Sequence, residues 1–269
     1  MTTIVSSYYL LPNNTKRTVE SYMAWISNFL MFCDSPIIMF SDGEIADSMD
    51  RFRKNISEKH SRGWKLIRRP LSDLYCGSEE ELSYFNKLAE GRSVTADVIR
   101  IWMNKGFLLE EVAKENPFST ESFMWCDAGC WRNLGYARLY GPGWPRKQIS
   151  SLTMSWVNDS LQKIRSMGKA PTELNDFIDF YLPLISYKPS VAGGIFGGNL
   201  QIISKFTEIF KKILKIHVGR SLPVDGDQEL CCIAALWLEA HGEAVDAYDE
   251  YRQPLPPGTD NWFIFQGIL

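Results

Sequence analysis

Histidine is nearly missing from this chain. Its 269 residues include three, His60, His217 and His241, and their separation excludes the ligand spacing of a histidine-based metal site. The six cysteines, Cys33, Cys76, Cys126, Cys130, Cys231 and Cys232, form no pair of CxxC motifs. They read as reduced structural thiols of a cytoplasmic protein rather than a zinc site. No apolar run reaches the roughly 18 residues that a membrane span needs, and the first residues lack the basic and apolar segments of a signal peptide. A soluble protein without membrane span or anchor is therefore expected. Charge of one sign is lacking too: 29 basic residues face 32 acidic ones, for a net charge of -3. Nothing general draws the chain to nucleic acid or anionic lipid, so an anionic ligand must be held locally. Also absent are the G-x-G-x-x-G dinucleotide fingerprint, the G-x-x-x-x-G-K-[ST] phosphate loop and the G-x-S-x-G elbow of serine hydrolases. No repeat, low-complexity tract or linker divides the sequence, which favours one domain over 1–269.

What is present is apolar patterning. Hydrophobic residues make up 45% of the chain, enough for a substantial core. "TTIVSSYYL" reads as a strand closed by "LPNNT"; a helix follows with Val19, Tyr22, Met23, Ile26 and Leu30 on one face and Asn14 or Thr15 as its cap. "SPIIMFSD" and "WKLIRRPL" are further short apolar runs of the kind buried in parallel sheets. Strand, helix, strand in this order predicts a βαβ unit and an α/β fold, its sheet covered by helices. Residues 94–116 read as two helical pieces meeting at Gly106, and "SFMWC" as a strand ending on Asp127. Beyond it, "WVNDSLQKIRSM" and "ELNDFIDFYLPLI" read as helices, "SVAGGIFGGN" as a strand, and a long helix carries Ile202, Phe206, Ile209, Ile213 and Ile216 on one face. "PVDGDQEL" leads into a last helix, with Asp225 and Gln228 as a capping box, and "NWFIFQGIL" is apolar enough to dock.

In open parallel sheets, ligands gather beyond the carboxyl ends of the strands. Those ends carry Ser6, Ser7 and Tyr8, then Asp42, then Asp127. Hydroxyls, a ring and two acids suit a nucleoside; the same acids equally well close turns. Ala128 and Gly129 leave the backbone after Asp127 open to close approach. A carboxylate beside a diphosphate calls for a divalent cation, with Mg²⁺ or Mn²⁺ matching its oxygen ligands. "VAGGIFGGN" has four glycines in nine residues, as where a sugar ring or another loop comes near the backbone. Of the acids in "VDGDQEL" one caps the helix, leaving Asp227 or Glu229 as a general base. Trp131, Trp144, Trp156 and Trp262 offer either sugar-stacking surfaces or core.

In order along the chain, "NPFSTESFMWCDAGCWRN", "SVAGGIFGGN" and "DGDQEL" resemble the HtrL/YibB-like proteins, which look like nucleotide-sugar glycosyltransferases of the GT-A fold. The resemblance covers most of the chain. It implies a Rossmann-like GT-A single domain with a mixed, mostly parallel central sheet flanked by helices. The nucleotide-binding half would be about 1–130 and the acceptor side about 131–269. "DAG" takes the place of the family's Asp-x-Asp, so Asp127 would hold Mn²⁺ on the donor diphosphate. Gly129 stands where the second acid belongs, leaving coordination weakened, completed from elsewhere, or absent. Ser7, Tyr8 and Asp42 match nucleoside positions. Arg100 and Asp97, in "SVTADVIRIW", match donor contacts, Gly193 and Gly194 the sugar loop, and Asp227 and Glu229 the acceptor-side acids, Asp227 first among them as base. The implied activity is transfer of a sugar from a nucleotide-sugar donor, UDP-linked by expectation, to a hydroxyl of a glycan or other acceptor. The alternatives are a binding module for nucleotide-sugars or glycans that keeps the fold without the chemistry, and a nucleotide hydrolase.

Overall fold

The computed structural model describes residues 1–11, 17–56, 63–156, 164, 170–185, 191–249 and 269. Seven strands form one sheet: β1 (Thr2–Ser7), β2 (Ile37–Ser41), β3 (Trp64–Arg68), β4 (Ser122–Cys126), β5 (Leu152–Trp156), β6 (Val191–Gly198) and β7 (Val245–Asp249). Their order is β3-β2-β1-β4-β6-β5-β7. β3, β2, β1 and β4 are mutually parallel, β6 pairs antiparallel with both β4 and β5, and β7 runs parallel to β5. Six strands thus point one way and β6 alone runs against them.

The helices are α1 (Val19–Phe32), α2 (Gly43–Ile56), α3 (Glu79–Ala89), α4 (Ala96–Glu115), α5 (Leu134–Tyr140), α6 (Leu174–Ile185), α7 (Leu200–Arg220) and α8 (Asp227–Ala240). They cover both faces of the sheet, which explains the continuous apolar runs: neighbouring strand residues serve opposite cores. Ile4, Ile37, Met39 and Met124 pack with Ile26, Phe29, Leu30 and Met49 of α1 and α2. Val5, Ile38, Phe40, Phe123 and Trp125 pack with α3, α4, α7 and α8, through residues such as Phe85, Met103, Phe206 and Leu230. Among the described residues no helix is long and apolar enough to cross a membrane.

Local details correct several expectations. The cap of α1 is Thr18, whose hydroxyl accepts from the Ser21 amide at 3.2 Å; Asn14 and Thr15 lie outside the described residues. α4 runs unbroken through Gly106. α7 packs on it there, the Gly106 carbonyl accepting from the Thr207 hydroxyl. α8 begins one residue later than Asp225 implies: Gly226 is the cap and Glu229 reaches back to its amide at 3.1 Å. β5 and β7 lie in stretches that carry no legible strand pattern. Trp262, His60, the tail "NWFIFQGI" and most of "WVNDSLQKIRSM" lie outside the described residues.

Candidate functional site

The period of two puts Phe123, Trp125 and Asp127 on one side of the sheet, the side covered by α4. Pairing with β6 continues one step past the end of β4, the Asp127 amide donating to the Gly194 carbonyl at 2.8 Å. The Asp127 carboxylate therefore stands at the strand end with a fixed backbone beneath it. Oδ1 accepts from the Trp125 indole N–H at 2.7 Å.

Lys105, midway along α4, points its ammonium into the same spot. Nζ lies 3.1 Å from Asp127 Oδ1, 3.0 Å from Asp227 Oδ2 and donates to the Gly193 carbonyl at 3.0 Å. Nζ also donates to Asp127 Oδ2 at 3.4 Å, so the ammonium is surrounded by two acids and one carbonyl. The contact with Asp227 is held by charge, because it falls off the line of a formed hydrogen bond. Burial works against the charge on Lys105, but Asp127 and then Asp227 outweigh it and leave the lysine more firmly protonated than usual. Burial, aided by the charge of Asp127, pushes the Asp227 carboxyl up, with Lys105 opposing. Asp227 is the first residue of α8, 5% exposed in its side chain, whereas Asp127 is 33% exposed. Asp127 is thus the member of the trio that opens to solvent.

It opens into a cleft of about 690 Å³, counting the open mouth. Ser7 and Tyr8 from the end of β1, Tyr22 from α1, Trp102 from α4 and Arg132 line it with Asp127 and Lys105. The Tyr8 and Tyr22 rings sit 5.1 Å apart, and Arg132 lies over Trp25, 5.0 Å from the ring centre. The hydroxyls of Ser7 and Tyr9, both cleft-lining and more than nine-tenths buried, have no hydrogen-bond partner among the described residues. Burial pushes the Tyr8 phenol up to about 12, so it stays a neutral donor.

No protein-family model matches the chain, and no curated protein matches it in sequence. Among solved structures, mouse xyloside xylosyltransferase 1 in its apo form is similar at 12% identity, over 91% of this chain and 84% of that one, with a TM-score of 0.43.

The structure brings Ser7, Tyr8 and Asp127 together on the cleft and sets Asp227 and Gly193 directly behind it. Gly193 is small for a definite reason: a Cβ there would stand 2.7 Å from Asp227 Oδ2. Gly194 gives its carbonyl to Asp127. Asp42 is exposed between β2 and α2, and Asp97 is exposed in the first turn of α4. Neither belongs to the lining of the cleft. Glu229 is buried on Gly226, its carboxyl pushed up to about 7 by burial and by Asp225 against the pull of its backbone bonds. Arg100 is buried and turned away from the cleft, donating to the carbonyls of Cys76 at 2.9 Å and Ser72 at 3.1 Å. Trp131, Trp144 and Trp156 are core residues, each 1% exposed. The six cysteines are buried free thiols.

The residues missed in sequence are Lys105, Tyr22, Trp102 and Arg132. Lys105 had a readable signal: it follows Ile101 by four and Val98 by seven, on the apolar stripe of its helix. A lysine there needs a buried partner.

The space between Asp127 and Asp227 does not fit a manganese ion. Lys105 already occupies the space between Asp127 and Asp227, so a divalent cation placed between the two acids would displace or repel an ammonium. At position 129 a side chain would run into Tyr22 and Trp25, 3.0 and 3.2 Å from a Cβ. Among the described residues no three His, Cys, Asp or Glu side chains are grouped to hold a metal.

Proposed function

We propose that the chain is a glycosyltransferase that moves a sugar from a nucleotide-sugar, with UDP the first donor to test, to a hydroxyl of a glycan or other acceptor. The observation that carries the reading is Asp127 itself: a carboxylate held at the end of a parallel strand by Lys105, Trp125 and Gly194, and presented to an aromatic-walled cleft. The likeness of "WCDAGCWRN", "VAGGIFGGN" and "DGDQEL" to the HtrL/YibB-like proteins supports the same reading.

The tyrosine faces offer stacking to a nucleoside. Asp127, with Trp125 on Oδ1 and Lys105 on Oδ2, keeps lone pairs that accept from sugar hydroxyls, and Arg132 on the cleft lining offers charge to phosphate. The catalytic contribution of these residues is orientation of both substrates and stabilisation of the leaving diphosphate.

A second reading, a binding module for nucleotide-sugars or glycans, is favoured by one observation. Asp227 and Glu229, the acids suited to deprotonating an acceptor, are both buried and engaged within the fold. One assay separates the two. The chain is incubated with UDP- and GDP-sugars and candidate acceptors, and released nucleoside diphosphate is followed, with Asp127→Ala as control. Acceptor-stimulated release that Asp127→Ala abolishes supports the transferase. Donor binding with no release across the panel supports the module, and release as fast without acceptor indicates a hydrolase.

A further inference from the structure

A diphosphate set beside Asp127 needs that carboxylate's charge balanced, and the fold already supplies a cation that does so. Burying an ammonium costs several kcal/mol before its partners offset it, and a hydrophobic residue of similar size would stabilise α4 at least as well. Yet the chain places Lys105 at 6% side-chain exposure, on the lining of the cleft, with one carboxylate in front of it and a second behind. Asp227 makes the arrangement rigid: it fixes the rear of the ammonium, and Gly193 is kept small so that this acid fits. Meanwhile the position of a second metal-binding acid is walled by Tyr22 and Trp25. Lys105 and Arg132, two cations, balance Asp127 and Asp227, two acids, so a diphosphate entering between them meets no net negative charge.

We infer that Lys105 is the resident cation of this site, its ammonium neutralising Asp127 from behind in place of a divalent metal, so that donor binding needs no metal. The inference rests on the transferase reading. It makes Lys105 a positioning residue that acts through Asp127, and Asp227 one that acts through Lys105.

The test is a titration of the full chain with UDP and UDP-sugars, followed by tryptophan fluorescence, since Trp102 and Trp125 border the cleft, once in EDTA and once in Mn²⁺. The expected result is a Kd equal in both within about threefold, and weakened at least about tenfold in EDTA by Lys105→Met. Lys105→Met leaves two acids facing each other, so it is paired with Lys105→Met/Asp227→Asn, which removes one charge of each sign. That double variant is expected to fold, by circular dichroism, and still to bind at least about tenfold more weakly in EDTA. In Lys105→Met itself, Mn²⁺ is expected to restore affinity by entering between the vacated carboxylates. Parent binding that requires Mn²⁺, or a folded double variant that binds like the parent, overturns the inference and leaves the transferase reading standing. Failure of every nucleotide to bind under either condition overturns both.

Discussion

Two buried cations stand five residues apart on α4 and do different work. Arg100 spends its guanidinium on the carbonyls of Cys76 and Ser72; it ties the segment after β3 to the helix and does not line the cleft. Lys105 spends its ammonium on two carboxylates and one carbonyl, and one of those carboxylates opens to the cleft. Both are nearly fully buried, so burial alone does not separate a structural cation from a functional one. The partners do: neutral carbonyls satisfy a charge that stays put, whereas a shared pair of acids poises charge at a cleft wall.

The comparison is sharpened most by removing each cation. Lys105→Met strands two carboxylates and is expected to cost about 3–5 kcal/mol in urea unfolding. Arg100→Met leaves two carbonyls without their donor and is expected to cost about 2–3 kcal/mol. Adding Asp227→Asn should recover at least half of the loss at Lys105 and none of that at Arg100, because only contacting sites couple. Equal recovery in both backgrounds would erase the distinction between the two.

The strands of the parallel half were legible because a sheet covered on both faces requires unbroken apolar runs, as in "TTIVSS" and "IIMFS". β5 and β7 were not. "LTMSW" follows a proline- and glycine-rich loop, and the acid-bearing "VDAYD" of the sheet edge lacks a run of any kind. At the site, Asp127 was legible as the acid that ends a strand, and Asp227 as a surplus acid beside a cap. Their meeting was not, because it depends on β6 running antiparallel to β4 and on the depth at which α4 lies across them. The resemblance pointed to Arg100, whereas packing turns Lys105 to the strand ends and Arg100 away from them. The glycines of "VAGGIFGG" have an internal reason as well: position 193 is small for Asp227, and position 197 for β4, whose Phe123 carbonyl would lie 2.3 Å from a Cβ there.

The structural side of the comparison extends to Glu229, two residues from Asp227 yet engaged only in capping α8. Its carboxyl rises from 4.5 in the unfolded chain to about 7 in the fold, chiefly through burial. The folded state thus holds this proton more tightly, so the group favours folding below pH 4.5 and loses that contribution as pH climbs to 7 and beyond. The loss is expected to be roughly 3 kcal/mol over that window. Glu229→Gln, which keeps the acceptor for the Gly226 amide, should flatten the stability profile between pH 4.5 and 7. A variant whose pH profile matches the parent's would remove Glu229 from the acids that titrate with folding.

The smallest effect is expected at Gly129, and it tests the cleft side. Aspartate there would restore the two-acid spacing that a metal site needs. Its Cβ, however, would sit 3.0 Å from Tyr22 and 3.2 Å from Trp25, so both rings must yield by a few tenths of an ångström. Even then the new carboxylate would lie among ring carbons while Lys105 still holds Asp127. Gly129→Asp is therefore expected to lose about 1–2 kcal/mol and to gain no manganese affinity. Thermal melting with and without Mn²⁺ reads both quantities at once. If Mn²⁺ raised the Tm of Gly129→Asp by more than about 2 °C beyond its effect on the parent, the ion would be binding the folded variant. The aromatic wall would then be movable, and Lys105 would lose its claim to be the cation that the site is built around.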